Sequence, residues 1–285
     1  MERLDAAAVV ARIREGGGPE LALVAPLAGG SVGAAVVQWP DGHDSVLKFH
    51  PPPVPGPGSP GLAAVVALVD AARALGVPSP AHEATFEFDD GSIALLQERA
   101  DGVAVTDVSD RFVERMLALA QLRVGAVPTS LRAASSPLYL TADGPGFCLH
   151  GPLRDHDART RDLLARIEAV GSECDDAPGD DIVHFDYHAG NVLVAPGDPD
   201  EIVAIVDWAG ARAASIGLDL VIFAFDLAWR SDRLSNRVAD ELAARVTDTQ
   251  FRALWAHGAL RLVDWSIRHY PSDVDHWVNF SNRRL

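Results

Sequence analysis

Lysine is almost absent from this chain. Of 24 basic residues, 23 are arginine, and Lys48 is the single lysine. A sequence rich in Ala, Arg, Gly and Pro disfavours lysine throughout, but that bias does not account for one survivor. An ammonium is a compact point charge on a flexible stem, which a planar guanidinium cannot copy, so Lys48 is a candidate functional residue. Cysteine is scarce as well. Cys148 and Cys174 have neither metal-ligand nor redox-motif spacing, which argues against a disulfide framework and points to thiols of a cytoplasmic protein. Long apolar runs are missing. The nearest, residues 216–229, contains Asp219 and Asp226 and is too short to span a membrane. The N-terminal residues lack the apolar centre of a signal peptide. Positive charge is in deficit, with 40 acidic against 24 basic residues and a formal charge of −16. That argues against a nucleic-acid partner, whose phosphates need a basic surface. It fits a cationic small-molecule substrate gathered by an acidic cleft, and it equally fits simple solubility.

What is present is ordinary globular material. The chain has 285 residues, 48% hydrophobic and 22% charged, enough for two lobes or one large domain. Apolar periodicity predicts a short helix over 5–15 and strands over 21–27, 34–39 and 45–49, with a glycine-rich turn at 28–33. The stretch PPPVPGPGSP, 51–60, reads as a stiff connector. A helix is predicted over 61–75, stopped by Gly76 and Pro78, then strands over 82–88 and 92–98. The polar break at Ala100, Asp101 and Gly102 is a lobe boundary, dividing 1–99 from 100–285. Beyond it helices are predicted over 110–124, 158–170, 214–229, 237–246 and 249–269. Trp229, Trp255, Trp265 and Trp277 in or after these helices read as core. The acidic stretch 173–181 is either a solvated loop or one wall of a cation-binding cleft.

Residues 182–208, IVHFDYHAGNVLVAPGDPDEIVAIVDW, interrupt the helical pattern. A β-branched run from Val192, a Pro/Gly/Asp turn and a second run from Ile202 to Val206 form a predicted β-hairpin. Antiparallel pairing brings Asn191 and Asp207 together at its open end, with Asp186 just upstream. Two carboxylates and an amide oxygen suit a hard divalent cation such as Mg²⁺. His184, Asp186 and Asn191 also fit H-x-D-x-x-x-x-N, a spacing that puts a proton-accepting carboxylate and a metal-binding amide on one loop.

With these residues in view, the sequence resembles the aminoglycoside phosphotransferase family, the small-molecule branch of the protein-kinase-like fold. The matching stretches are HFDYHAGNVLV (184–194), IVDW (205–208) with Gly217 and Asp219 downstream, GGSVG (29–33), Lys48 in SVLKF, GVPSP (76–80) and LLQERADG (95–102). The resemblance implies an α+β bilobal fold, with a mostly β N-lobe and a helical C-lobe, binding ATP or GTP with Mg²⁺ between them. It implies that Asp186 is the catalytic base and that Asn191 and Asp207 are the metal ligands. Lys48 would grip the nucleotide phosphates beneath a loop containing Gly30 and Ser31. Glu98 and Ala100 would be the hinge residues that meet adenine, and His184 a brace for the loop. The implied substrate is a hydroxyl-bearing cationic antibiotic, an aminoglycoside or a basic cyclic peptide of the viomycin and capreomycin type, phosphorylated to confer resistance. A metabolic kinase for choline, homoserine or a sugar is the alternative within the fold. A nucleotide-binding pseudokinase acting as a sensor is the alternative outside that class. Asp219 reads as a buried structural carboxylate satisfied by loop N–H groups. Three features depart from the family pattern: Phe185 stands where a small residue is usual, Tyr187 and His188 add polar groups beside the base, and helix 61–75 has no glutamate to pair with Lys48. Asp70 and Glu83 are the substitutes to consider.

Overall fold

The computed structural model describes residues 5–27, 33–50 and 61–285. The predicted connector, 51–60, and the tip of the glycine-rich turn, 28–32, lie outside the described residues. Helix α1 (Ala6–Glu15) is capped by Asp5, whose side chain accepts from the Ala8 N–H. Strands β1 (Ala22–Leu27), β2 (Ala34–Gln38) and β3 (Asp44–His50) follow, then helix α2 (Leu62–Ala74) and strands β4 (His82–Glu87) and β5 (Ile93–Glu98). The five strands form one antiparallel sheet in the order β1-β2-β3-β5-β4. Alternation along the strands sends Val37, Leu47, Ala94 and Leu96 to one face, where they pack on Val9 and Ile13 of α1.

Helix α2 does not join that small core. Its Val65, Leu68, Val69 and Ala72 are buried in the large core of the following region, against a short turn at Trp208–Gly210 and the strand after it. That region holds β6 (Val103–Ala104), α3 (Asp110–Leu122), α4 (His150–His156), α5 (Ala158–Glu173), β7 (Asp181–Val183), β8 (Val192–Ala195), β9 (Asp198–Ile205), β10 (Arg212–Ala214), α6 (Gly217–Ala228), α7 (Asp232–Ala243), α8 (Asp248–His269) and α9 (Val274–Ser281). The architecture is a β-sheet N-terminal region followed by a helical C-terminal region, the protein-kinase-like arrangement. Helix α6, apolar on nearly every side, is its buried centre and packs on α7 and α8. The expected hairpin is present, with Val192 opposite Ile205 and Leu193 opposite Ala204. The turn is tighter than expected, because β9 begins at Asp198 and takes in the acidic residues assigned to the turn. Trp255 and Trp277 are core as expected, whereas Trp265 is half-buried and Trp229 is 56% exposed. No helix among the described residues is long and apolar enough to cross a membrane.

Candidate active site

The loop between β7 and β8 is shaped from below by one carboxylate. Asp219, in the first turn of α6 and fully buried, accepts from the His184 N–H (2.9 Å) and the Phe185 N–H (2.8 Å). It also pairs with the fully buried Arg123 guanidinium. This is the structural role the sequence assigned it. Those bonds hold Phe185 in the left-handed region, at φ 69°, a costly conformation for a bulky residue. His184 then ties the loop to the end of the hairpin. Its Nδ1 accepts from the Asp186 N–H (3.2 Å), so the ring proton is on Nε2, which donates to the Val206 carbonyl (2.9 Å). Burial pushes the His184 imidazole below its ordinary range and keeps it neutral.

Asp186 is thereby presented at the loop surface, half-exposed. Asn191 Nδ2 donates to both the Asp186 carbonyl and its Oδ2, each at 2.9 Å. That leaves the Asn191 Oδ1 free to face another group. His188 accepts from the Gly190 N–H on Nδ1 (3.1 Å) and donates from Nε2 to Asp186 Oδ2 (3.3 Å). Burial raises the Asp186 carboxyl, but the His188 hydrogen bond and the Arg261 guanidinium outweigh it and bring the pKa down to about 2. Asp186 is therefore a carboxylate at neutral pH. Tyr187 points inward and donates to the Met116 carbonyl (2.7 Å).

Asp207 follows β9 at the open end of the hairpin, also left-handed at φ 67°. The Val206 N–H donates to the Asn191 carbonyl (2.9 Å), fixing the two strand ends side by side. Lys48 reaches across from β3 and places Nζ 3.1 Å from Asp207 Oδ1. Lys48, Asp207, Asn191 and Asp186 thus form one chain of neighbours from two regions of the fold. The partner of Lys48 is Asp207, not the substitutes considered from sequence. Asp70 is exposed on α2, and Glu83 accepts from Ser45 and faces His43. Asn191 Oδ1 and the Asp207 carboxylate are hard oxygen donors, a set that suits an ion completing its shell with phosphate oxygens and water. No group of three or more His, Cys, Asp or Glu among the described residues could hold a metal by itself.

The hinge residues sit apart from that chain. Glu98 and Ala100 line a cavity of about 450 Å³ together with Arg73, Pro78, Asp101 and Val203. Neither Lys48 nor Asp207 lines it. The Glu98 N–H is taken by the Ala81 carbonyl (2.9 Å), and its side chain accepts from the Ala81 N–H (3.0 Å) and Arg73 (3.3 Å). Gly30 and Ser31 lie outside the described residues.

The model of the phosphotransferase enzyme family, APH, matches residues 24–255. The chain belongs to this family. The aminoglycoside phosphotransferase resemblance is thereby borne out, and the protein is a phosphotransferase. No curated protein matches the sequence significantly. Among solved structures, a thermostable variant of aminoglycoside phosphotransferase APH(4)-Ia, in ternary complex with AMP-PNP and hygromycin B, matches at TM-score 0.66 and 17% identity over 95% of this chain and 94% of that one. The amicoumacin kinase hAmiN, in complex with AMP-PNP, Ca²⁺ and Ami, matches at 0.61 and 12% identity over 99% and 94%. Spectinomycin phosphotransferase APH(9)-Ia, with ADP and spectinomycin, matches at 0.57 and 12% identity over 97% and 93%. At such identities the likeness speaks to the fold.

The phosphotransferase also carries residues that sequence reasoning missed. The Phe185 ring has the Arg212 guanidinium 3.6 Å and the Arg261 guanidinium 4.4 Å from its centroid. His257 lies 5.9 Å from the same ring. Further along α8, Trp265 meets Phe147 edge-on at 4.6 Å. Arginine is this chain's default cation, so nothing in the pattern set Arg212 or Arg261 apart. The acidic stretch 173–181 is a partly exposed loop, and most of its carboxylates have protein partners. Asp175 accepts from Leu140, Thr141 and its hydroxyl, Asp176 from Ser136 and Ala177, and Asp181 from Gly125 and Ile216. Asp180 pairs with Arg132 and Glu173 with Arg252. Asp175, Asp176 and Asp181 pin loops, while Glu173 and Asp180 make surface ion pairs.

Proposed function

We propose that this protein transfers the γ-phosphoryl group of ATP, or GTP, to a hydroxyl of a small antibiotic molecule. The observation that carries the reading is the Lys48–Asp207–Asn191–Asp186 chain, assembled from a sheet strand, a hairpin and a loop held by buried groups. Asp186 receives the acceptor hydroxyl. As a carboxylate it aligns the O–H for in-line attack and takes its proton as the new bond forms. Asn191 holds that carboxylate in one rotamer and, with Asp207, supplies oxygen ligands for Mg²⁺. A bound divalent ion would neutralise charge on the phosphates. Lys48 contributes a second positive charge there, and its approach to Asp207 leaves it beside the phosphate position. Glu98 and Ala100 offer hinge backbone to a base, with Gly30 and Ser31 in the loop above. We place the lobe boundary between residues 99 and 100: the sheet ends at Glu98, and β6 at Val103 already pairs with the hairpin.

The solved relatives in complex with hygromycin B, spectinomycin or Ami support an antibiotic as acceptor. The charge of −16 supports a cationic one, an aminoglycoside first and a viomycin- or capreomycin-type peptide second, with resistance as the outcome in the cytoplasm. The pseudokinase alternative draws on the missing helix glutamate; the retained Asp186, Asn191, Asp207 and Lys48, and the phosphotransferase family match, speak against it. The test is an antibiotic susceptibility panel in cells expressing the chain, with mass spectrometry for one added phosphoryl group and Asp186→Ala as control. Phosphorylation lost by several orders of magnitude in the folded variant is the expected result. Near-wild-type turnover by Asp186→Ala would sink the mechanism.

A further inference from the structure

Two guanidinium groups converge on one phenyl ring immediately before the residue that receives the acceptor hydroxyl. Arg212 projects from β10 and Arg261 from α8, and both stack on Phe185. Most buried and half-buried arginines of this fold find a carboxylate, as Arg73, Arg123 and Arg268 do. These two do not: among the described residues neither has a carboxylate within ion-pair distance. Arg212 Nε donates to the Gly210 carbonyl (3.1 Å), which neutralises nothing. Both side chains are half-buried, where like charges repel more strongly than in water. The surroundings register that field. Burial, then repulsion from Arg261, pulls Arg212 down to about 10. The fully buried His257 is brought down to about 3 by burial and by both arginines. Its Nε2 has no hydrogen-bond partner. A cavity of about 260 Å³ opens onto Arg212 alone of the two arginines, lined also by Tyr139, Ser135, Ser136 and Leu68, and neither Phe185 nor Asp186 lines it.

We propose that Arg212 and Arg261 form a seat for a carboxylate-class oxyanion carried by the acceptor itself, close to the hydroxyl that is phosphorylated. The proposal rests on the phosphotransferase reading of Asp186 and narrows its substrate. An incoming carboxylate would relieve the repulsion between the two guanidiniums and accept paired N–H donors from them. Phe185 is the ring on which both guanidiniums rest, which gives a purpose to a bulky residue at φ 69°. The overall negative charge then gathers a molecule that bears amines, while this local pair selects one that also bears an acid. The acceptor is amphoteric.

The test uses full-length protein and two fluorinated probes, trifluorolactate and its neutral carboxamide, followed by fluorine NMR line broadening. The wild type is expected to bind the acid more tightly than the amide by roughly tenfold or more, the scale of a charge-assisted hydrogen-bonded pair. Arg212→Gln and Arg261→Gln should each abolish the difference, and Arg261→Lys, which keeps the charge without the fork, should retain part of it. Thermal melts identify any variant that fails to fold, in which case Arg261→Lys carries the comparison. Equal binding of acid and amide would overturn the proposal, as would acid binding that survives the double Gln variant. Displacement of the acid by Mg²⁺ with AMP-PNP would also overturn it, because the arginines would then serve the transferred phosphoryl group. A failure of the parent reading looks different: no Mg²⁺-dependent AMP-PNP binding, with the acid preference intact.

Discussion

At the scale of single residues, Asp219 has the widest reach. It accepts from two loop N–H groups and from a buried arginine, so removing it orphans three donors at once. Asp219→Ala is predicted to cost about 3–5 kcal/mol, the range for breaking a buried pair and leaving one charge unmatched. Urea unfolding measures this. Replacing Arg123 with Met in the same molecule should recover much of the stability but not the activity, because the His184 and Phe185 N–H groups stay unmet. Recovery of both would mean that Asp219 serves only the ion pair. His257 gives a pH prediction. Its folded pKa is about 3 against an ordinary value near 6.5, so between those values the unfolded chain holds a proton that the folded chain lacks. Stability must therefore rise with pH across that window and fall as pH drops below about 6.5, by about 1.4 kcal/mol per unit for this group. The buried neutral His184 acts in the same direction. His257→Gln, which can still donate to the Leu138 carbonyl, should flatten the slope of unfolding free energy between pH 6 and 4; an unchanged slope would refute the assignment. The buried role of Asp219 was legible, since a lone acid in an apolar helix must find donors. Its partner Arg123 was not, because one arginine among 23 carries no mark in a sequence.

At the scale of elements, the hairpin β8–β9 organises the site, and its packing is tight at one glycine. A Cβ on Gly102 would lie 2.5 Å from Val203 Cγ2 and 2.8 Å from Leu193 Cβ. Gly102→Ala should therefore cost about 1–3 kcal/mol by overpacking and displace β9, the strand that leads to Asp207. Thermal unfolding and nucleotide affinity should fall together; a neutral change would show that β6 yields freely. The hairpin was readable because two apolar runs with a turn between them have few other solutions. The five N-terminal strands were readable for the same reason. Elements without a period were not. β6, β7 and β10 have two or three residues each, too few for alternation to register. The short α4 and the C-terminal α9 were missed, and α7 begins at Asp232, five residues before its predicted start, behind a Ser231 cap. Helix α2 was placed correctly along the chain, but no pattern within it reveals which core it enters.

At the scale of the whole molecule, the surplus of acid acts over distance rather than by contact. The stretch 173–181 spends most of its carboxylates on pinning loops and on surface arginines, so attraction of a cationic acceptor draws mainly on the diffuse field. Such a field is screened within about 10 Å at 0.1 M salt. We predict that kcat/KM for a cationic acceptor falls several-fold as NaCl rises from about 0.01 to 1 M, while nucleotide affinity at saturating Mg²⁺ changes less. A salt-independent kcat/KM would place the selective charges in direct contact instead. The sheet-then-helices plan of the molecule was legible from apolar patterning, since the change from period-two to helical spacing falls near one point in the chain.

The allegiance of α2 has a mechanical consequence. The sheet that carries Lys48 and the helix that follows it in sequence are rooted in different cores: the sheet on α1, the helix on the Trp208–Gly210 turn and β10. The Arg73–Glu98 pair is a polar tie between this helix and the sheet. Any closure of the sheet over a nucleotide would be resisted at that pair and at the α2 surface, a shear geometry rather than the swing of a rigid jaw.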